Sequence, residues 1–389
     1  MTSPAERLLT RADRAAGGLA ADAGLYAVSA VFALVTALTS TLLPHRAWGA
    51  VAAWGYAAAF LAVGVQMLLR RPVARMALTW VTFAGVALLP LVVQAVQRAG
   101  GRTDRAQEEV LVVEHMGERL LGTGTPYLPA DVIAALPPGE QLLGYSPYQP
   151  GMAVFGVPRA LAGDVWWTDA RVWFAAATIA ALAVALRPGR DGGAAVRAAQ
   201  AATVLPICAL TLATGGDDLP VLALCLLALA LCARDRFGAA GLAVGAAAAL
   251  KLFALPVVVV LAVLAVATGH GRRFLPGALG LPVLVLVPPA LVDADAFVEN
   301  VIRFPLGHGI VTSPAQSPFP GHLIASAVPG GRYVAAALLV AAGAAIAVRL
   351  LRRPPRTAAA AALFCGYGLL AAILLLMLIG GRIVPSFTR

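Results

Sequence analysis

Runs of about 20 apolar residues recur along the sequence, and they constrain the fold more than any other feature. A helix of that length crosses the hydrocarbon core of a bilayer, which is about 30 Å thick. Charged residues make up only 12% of the chain, whereas a soluble domain typically carries about 25%. The sequence therefore excludes a water-soluble enzyme and a disordered protein, and it predicts an all-α, polytopic transmembrane protein.

The hydropathy pattern predicts about nine full spans. Their ranges are 25–43, 48–69, 76–96, 166–186, 198–214, 219–233, 274–292, 333–350 and 358–379. The stretch 238–268 is too long for one span, and Pro256, which removes a helical hydrogen-bond donor, follows its middle. We interpret this stretch as a short helical hairpin with Lys251 near the bend; a single long, tilted helix is the alternative.

The basic residues are unevenly distributed among the predicted loops. When the N-terminus is placed in the cytoplasm, most of the arginines lie in cytoplasmic loops and most of the acidic residues lie outside. This asymmetry follows the positive-inside rule, so the net charge of +10 needs no nucleic-acid partner. We expect a multi-pass protein of the plasma (inner) membrane, with a cytoplasmic segment at 1–24, no cleavable signal and a single integral membrane domain at 25–389.

Two long loops, 97–165 and 293–332, fall on the predicted outer (extracytoplasmic) side, and long loops between spans tend to carry function. Apolar residues recur at helical spacing between 103 and 127, which predicts an amphipathic helix at the outer membrane interface. Asp104 suits the N-cap of this helix, and Gly124 suits its end.

Several acidic residues lie on this predicted helix. Burial near the bilayer surface raises the pKa of a carboxyl group toward neutrality, as a general base requires. For any one of them, an ordinary solvated helix face is the interpretation we favour. The residues are Asp104, Glu108, Glu109, Glu114 and Glu118.

Two shorter segments also stand out on the outer side. Residues 144–151 read Gly-Tyr-Ser-Pro-Tyr-Gln-Pro-Gly; the prolines forbid a regular helix and the tyrosines suit the membrane interface, which predicts a lipid-facing re-entrant loop. Asp217 and Asp218 lie between two predicted spans, where they either bind a ligand or cap the helix that follows. Capping is the interpretation we favour.

Cationic residues offer candidate sites for an anion. Arg303, His308 and His322 share one outer loop and could clamp a phosphate. Lys251 is the only lysine of the chain and lies within an apolar segment, which suggests function; snorkelling of its ammonium group to the headgroup layer is the alternative. The sequence has no metal-spaced cluster of histidine and cysteine, and we expect no metal.

Taken in order, these segments resemble glycosyltransferase family 87, the polytopic polyprenyl-phosphate-mannose-dependent mannosyltransferases of the GT-C fold, and especially its uncharacterised actinobacterial members. The matching segments run from Glu109 to Tyr127, Tyr145 to Pro150, Gly215 to Asp218, and Ala240 to Lys251.

The sequence departs from the family pattern in two places. The acid of the first family motif is usually an aspartate that follows the first span, whereas Glu109 follows three predicted spans here. Members commonly continue into a further span with an R-x-G-Y-like motif, where this sequence has Pro385 to Arg389.

The resemblance implies an inverting transfer of mannose, or a related hexose or pentose, on the outer leaflet. The donor would be a polyprenyl-phosphate sugar and the acceptor a lipid-linked or cell-envelope glycan, with no cofactor required. It implies Glu109 as the general base, with Asp104 and Glu108 as alternatives. The implied ligands of the donor phosphate are Arg303, His308, Lys251 and His322. The implied contacts of the acceptor or lipid are Tyr145, Tyr148, Asp217 and Asp218.

Two other functions remain open from the sequence: a transporter or flippase of lipid-linked sugars, and an inactive scaffold subunit of an envelope-synthesis complex. Transporters usually place ionisable groups near the middle of their spans. Here the predicted spans are nearly empty of charge apart from Lys251, and the acidic residues concentrate in the outer loops. This distribution favours chemistry at the membrane surface.

Overall fold

A computed structural model describes residues 15–71, 73–186, 192–311 and 319–375. Within these ranges the regular secondary structure is helical and no strand forms, which confirms the all-α prediction. Most of the predicted cytoplasmic segment 1–24 and the predicted end of the last span at 379 lie outside the described residues.

The helices are connected by short loops and by single turns of other helix types. The α-helices of the first half are, in chain order, α1 (Leu19–Thr39), α2 (Leu43–Leu68), α3 (Arg75–Ala99, with a π-helical segment at Ala84–Leu88), α4 (Glu108–Thr123), α5 (Ala130–Ala135), α6 (Gln141–Gly144), α7 (Val157–Ala162), α8 (Ala170–Leu186) and α9 (Gly193–Thr203). Those of the second half are α10 (Pro206–Thr214), α11 (Asp218–Cys232), α12 (Phe237–Leu250), α13 (Leu255–Ala267), α14 (Gly271–Val292), α15 (Ala294–Val298), α16 (Pro320–Ala327), α17 (Gly331–Arg352) and α18 (Ala358–Leu375).

Seven of the described helices are long and apolar enough to cross a membrane. They are Ala15–Thr39, Leu43–Leu68, Arg75–Ala99, Gly193–Thr214, Gly271–Val292, Gly331–Arg352 and Ala358–Leu375. This confirms a polytopic membrane protein. The predicted spans at 166–186 and 219–233 differ, because α8 has 17 residues and α11 has 15; at 1.5 Å per residue they rise about 26 and 23 Å, less than the bilayer core.

The chain divides into two compact units. The first unit comprises Met1–Leu111 and Leu161–Ala223, and the second comprises Val112–Ala160 and Leu224–Arg389. The predicted single integral membrane domain stays a prediction, and each unit is described by itself below.

In the first unit, a buried ion cluster joins the beginnings of three helices. Asp22 of α1 accepts from Arg75 of α3 and from Arg197 of α9, each at 2.6 Å, and from the Gln200 amide at 2.9 Å. Both arginines also donate to the Gly18 carbonyl. The sequence places these ionic residues on one predicted side of the membrane, and the structure brings them into contact.

In the second unit, the predicted helical hairpin is confirmed. Helix α12 ends at Leu250, Lys251 is extended (φ −147°, ψ 144°), and α13 begins at Leu255 with Pro256 in its first turn. Proline is tolerated there, because the first turn of a helix has no partner for its backbone donors. Lys251 therefore lies at the break between two short helices, and the alternative of one long helix is wrong.

Candidate functional site

The acidic helix α4 begins later than the sequence suggests. Arg102 donates to both carboxylate oxygens of Asp104 at 3.1 Å, and Arg105 donates to the same group at 2.6 Å. These contacts hold Asp104 in a separate turn, Thr103–Arg105, and the helix starts at Glu108. The predicted N-cap at Asp104 is therefore wrong, and its hydrogen bonds with Arg102 hold the pKa of its carboxyl group below the usual range.

Helix α4 is covered by protein along its apolar face. Val110, Val113 and Met116 are fully buried, as their helical spacing predicts. Gly117 lies directly against the backbone of Gly156, so closely that a Cβ atom on Gly117 would overlap it. The helix is amphipathic, as predicted. The prediction that its apolar face contacts the membrane is wrong, since that face packs on protein.

The beginning of α4 is hydrogen-bonded to the end of α10, within the first unit. The Gln107 backbone N–H donates to the Thr214 backbone carbonyl at 2.9 Å, and the Thr214 hydroxyl donates to the side-chain oxygen Oε1 of Gln107, also at 2.9 Å. A Cβ atom on Gly215 would lie 3.6 Å from Glu109 Oε2. Half-buried Glu109 therefore lies beside the loop that follows α10.

That loop carries the two aspartates singled out in the sequence. Gly216 adopts a left-handed conformation (φ +89°), which a residue with a side chain adopts only with strain. Helix α11 begins at Asp218, so Asp217 directly precedes its first residue; the favoured capping role stays a prediction. We call Gln107, Glu109 and residues 214–218 the carboxylate cluster.

His45 is a member of this neighbourhood that the sequence analysis missed. It lies half-buried in the first turn of α2, and its side chain is hydrogen-bonded to that of Gln107. His45 follows Leu-Leu-Pro in the sequence and is not part of a recognisable functional motif. Its position in the first predicted outer loop is the one signal that the sequence offers.

In the second unit, the Tyr-Ser-Pro-Tyr segment is buried in protein. Tyr145 is 1% exposed; its hydroxyl donates to Glu299 Oε1 at 2.8 Å and accepts from the Ile310 N–H at 2.7 Å. Its ring stacks on Phe304 with the ring centroids 4.1 Å apart. The lipid-facing interpretation of this segment is therefore wrong, and burial raises the pKa of Tyr145 to about 12, so the phenol stays a hydrogen-bond donor.

The contacts of Tyr145 hold the turn that carries two predicted phosphate ligands. Glu299–Arg303 is a single π-helical turn, a feature that often occurs at functional sites. Arg303 Nε lies 3.6 Å from the buried Glu299 carboxylate, and the Arg303 carbonyl accepts from the His308 N–H at 2.8 Å. The Arg303 side chain is 61% exposed. His308 follows the turn by five residues and is joined to Arg303 through the backbone, and the exposed Arg303 guanidinium is accessible to an anion.

Lys251 contacts the other end of the same segment. Its ammonium nitrogen lies 4.4 Å from the centroid of the Tyr148 ring, and the Gln149 N–H donates to the Leu250 carbonyl. Three residues of extended chain span at most about 11 Å, so the Cα atoms of Tyr145 and Tyr148 are no farther apart than that. Residues 145–149 therefore contact both the Arg303 turn and Lys251.

His322 is not brought to the other predicted phosphate ligands. It lies in α16, and within the described residues no contact joins it to Arg303, His308 or Lys251. The part of the chain that the structure describes also contains no group of three or more histidine, cysteine, aspartate or glutamate side chains arranged to hold a metal ion.

Comparison with known families identifies one family that this chain matches. The model of glycosyltransferase family 87 matches residues 146–377, more than half of the chain. The match includes Lys251, the Arg303 turn and the 215–218 loop, and it begins after Glu109. No curated protein and no solved structure matches the chain. The chain belongs to glycosyltransferase family 87.

Proposed function

We propose that this membrane glycosyltransferase moves mannose, or a related hexose or pentose, from a polyprenyl phosphate to a lipid-linked or cell-envelope glycan. The reaction takes place on the outer leaflet of the plasma membrane, with the N-terminus in the cytoplasm, and it needs no cofactor. Membership of family 87 supports sugar transfer, and the apolar helices support a membrane location.

The position of Glu109 beside Gly215 carries this proposal, because it supports Glu109 as the general base over its acidic neighbours. Asp104 is ion-paired with two arginines and has a lowered pKa, so it is a weak base. Glu108 is exposed, and Glu114 is buried in an ion pair with Arg159 at 3.2 Å. Glu109 is half-buried at a loop that carries two further polar side chains.

The chemistry is a single displacement with inversion at the anomeric carbon. Glu109 takes the proton of the acceptor hydroxyl as its oxygen forms the new bond to the anomeric carbon. The bond from that carbon to the phosphate oxygen breaks, and its electron pair leaves with the polyprenyl phosphate. Asp217 and Asp218 accept hydrogen bonds from the acceptor sugar, and half-buried Tyr148 contacts the acceptor or lipid. Tyr145 has a supporting role, because its hydroxyl is already engaged by Glu299.

The leaving phosphate gains negative charge in the transition state, and cations stabilise that charge. Arg303 is exposed and its carbonyl accepts from the His308 backbone N–H, so this pair is the first candidate for the donor phosphate. Lys251 is the second candidate, since it contacts the same Tyr-Ser-Pro-Tyr segment.

The test is transfer by the purified protein in vesicles, with a radiolabelled polyprenyl-phosphate sugar and a membrane glycan acceptor. Glu109→Gln should lower kcat by about 100-fold or more, the usual contribution of a general base, with the thermal unfolding temperature unchanged. Glu108→Gln, an exposed neighbour on the same helix, is the control and should keep full activity. Full activity of Glu109→Gln would exclude Glu109 as the base, and sugar flux across the vesicles without transfer would support a transporter instead.

A further inference from the structure

A buried arginine lies next to the carboxylate cluster and has no part in the proposed chemistry. Arg171, in the first turn of α8, is 0% exposed. Its Nε and Nη2 atoms donate to the two carboxylate oxygens of Asp169 at 2.8 and 2.7 Å. Asp169 also accepts from Arg98 at 3.1 Å. The guanidinium group is therefore fixed in one orientation by a two-point contact with a carboxylate that is itself held.

The remaining nitrogen of Arg171 bridges two segments of backbone. Nη1 donates to the Arg105 carbonyl at 2.6 Å and to the Ala213 carbonyl at 3.1 Å. Arg105 precedes Glu109 by four residues, and Ala213 precedes Gly215 by two. These are the two chain segments that meet in the carboxylate cluster, where Gln107 and Thr214 form the next pair of hydrogen bonds.

This arrangement requires arginine in particular. A lysine ammonium is a compact point charge and lacks the planar fork that contacts a carboxylate on one edge and two carbonyls on another. Burying a charged pair contributes little net stability compared with apolar side chains of similar volume. Stability alone therefore does not account for a fully buried guanidinium group at this position.

We propose that Arg171, oriented by Asp169, is a positioning residue for sugar transfer. It holds residues 105–109 against residues 213–218 and thereby sets the place of the Glu109 carboxylate relative to the loop that carries Asp217 and Asp218. This inference rests on the proposed role of Glu109 as the base. A displacement of about 1 Å in a reacting group can lower a rate by about 100-fold, so a small shift of this backbone pair is sufficient to impair transfer.

The test compares two buried arginines of the same unit. Arg171→Lys keeps a positive charge beside Asp169 but loses the bridge to the two carbonyls. It should lower kcat by about 10- to 100-fold and leave the KM for the polyprenyl-phosphate donor unchanged. Arg75→Lys weakens the ion pair with Asp22, which is similarly buried and belongs to the ion cluster at the starts of α1, α3 and α9. This control should lower the thermal unfolding temperature by a similar amount and leave kcat unchanged.

A second variant keeps the inference testable if Arg171→Lys does not fold. Thr214→Val keeps the shape of the side chain and removes the hydroxyl, which lies within hydrogen-bond distance of Gln107 Oε1 and of the Leu210 carbonyl. It should lower kcat while lowering the unfolding temperature no more than Arg75→Lys does. Normal kcat in Thr214→Val and in Arg171→Lys would overturn the inference, as would an equal loss of kcat in Arg171→Lys and Arg75→Lys.

A double variant separates this inference from the proposed function. If Arg171 acts through Glu109, Arg171→Lys should cause little further loss of kcat in a Glu109→Gln background. An active Glu109→Gln would contradict the proposed base whatever Arg171 does. An inactive Glu109→Gln together with a fully active Arg171→Lys would contradict the positioning role alone.

Discussion

At the scale of single residues, exposed Arg303 is held in place by buried neighbours. Its partner Glu299 is 7% exposed, and Glu299 in turn accepts the Tyr145 hydroxyl. A lone exposed arginine loses side-chain entropy when it binds an anion, and this loss is smaller when a neighbouring carboxylate already restricts it. If Arg303 binds the donor phosphate as proposed, the pairing with Glu299 lowers this entropy loss while leaving most of the arginine surface open.

We therefore expect Arg303→Gln to raise the KM for the polyprenyl-phosphate donor by about tenfold or more, because hydrogen bonds to charged groups contribute about 1.5–3 kcal/mol. The measurement is a donor titration at saturating acceptor. Arg332→Gln is the matched control: Arg332 is an exposed arginine that contacts only the neighbouring Tyr333 among the described residues. An unchanged KM in Arg303→Gln would remove Arg303 from the phosphate site.

At the scale of elements, α4 shows how glycine governs close packing. Gly117 and Gly156 allow two stretches of backbone to touch, and a side chain on either one has no space. Gly122 lies in the same helix with no neighbouring atom within 4 Å of an added Cβ. The helix therefore contains both a glycine that packing requires and a glycine that it does not require.

Gly117→Ala should destabilise the protein by about 1–3 kcal/mol, the usual effect of overpacking. Gly122→Ala should instead stabilise it by about 0.5–1 kcal/mol, since alanine is the better helix former. Thermal or denaturant unfolding in detergent measures both variants. Equal stability of the two variants would show that the contact between Gly117 and Gly156 is looser than described.

The ion cluster of the first unit has a different role, because it joins the starts of α1, α3 and α9. Asp22→Asn leaves two arginines beside a neutral amide, and breaking such a buried pair costs about 3–5 kcal/mol. Asp235→Asn is the control: Asp235 is exposed with φ +55°, a conformation that asparagine adopts as readily as aspartate. A stability loss below about 1 kcal/mol in Asp22→Asn would indicate that water enters the cluster.

At the scale of the whole molecule, the predicted orientation can be tested with single cysteines in a chain whose four native cysteines are replaced. A membrane-impermeant thiol reagent should label Glu118→Cys from outside intact cells, because this exposed position follows the predicted outer end of α3. It should label Asp235→Cys only after the membrane is permeabilised. Reversed labelling would place the carboxylate cluster in the cytoplasm and would contradict a reaction on the outer leaflet.

The membrane-spanning helices could be predicted from sequence because a span needs a long run of predominantly apolar residues. Residues 25–43 and 333–350 each form such a run. The break at Lys251 could also be predicted, from excess length and Pro256. The start of α4 could not be predicted. Asp104 fits the sequence pattern of a helix N-cap, but its carboxylate is bound by Arg102 and Arg105 instead. The burial of Tyr145 is not predictable for a related reason, since a tyrosine that suits a lipid interface also suits a buried carboxylate 154 residues away.

The candidate site was only partly predictable. Charge and position single out Lys251 and Arg303, and the family resemblance singles out Glu109 among five acids, but the contacts that organise these residues join parts of the chain that are far apart. Thr214 and Gln107 are 107 residues apart, and Arg171 and Arg105 are 66 residues apart. Neither pair forms a sequence motif. The contact of Arg171 with Arg105, and that of His45 with Gln107, are therefore visible only in the folded structure.

The extended residue between α12 and α13 has a consequence for how the protein is made. Helix ends leave carbonyl groups without partners, and within lipid such groups are tolerated only where protein covers them. The Leu250 carbonyl obtains its partner from Gln149, which the ribosome synthesises about 100 residues earlier. The order of synthesis therefore makes the covering segment available before the broken helix pair leaves the insertion machinery, and a circular permutant that reverses this order should insert poorly.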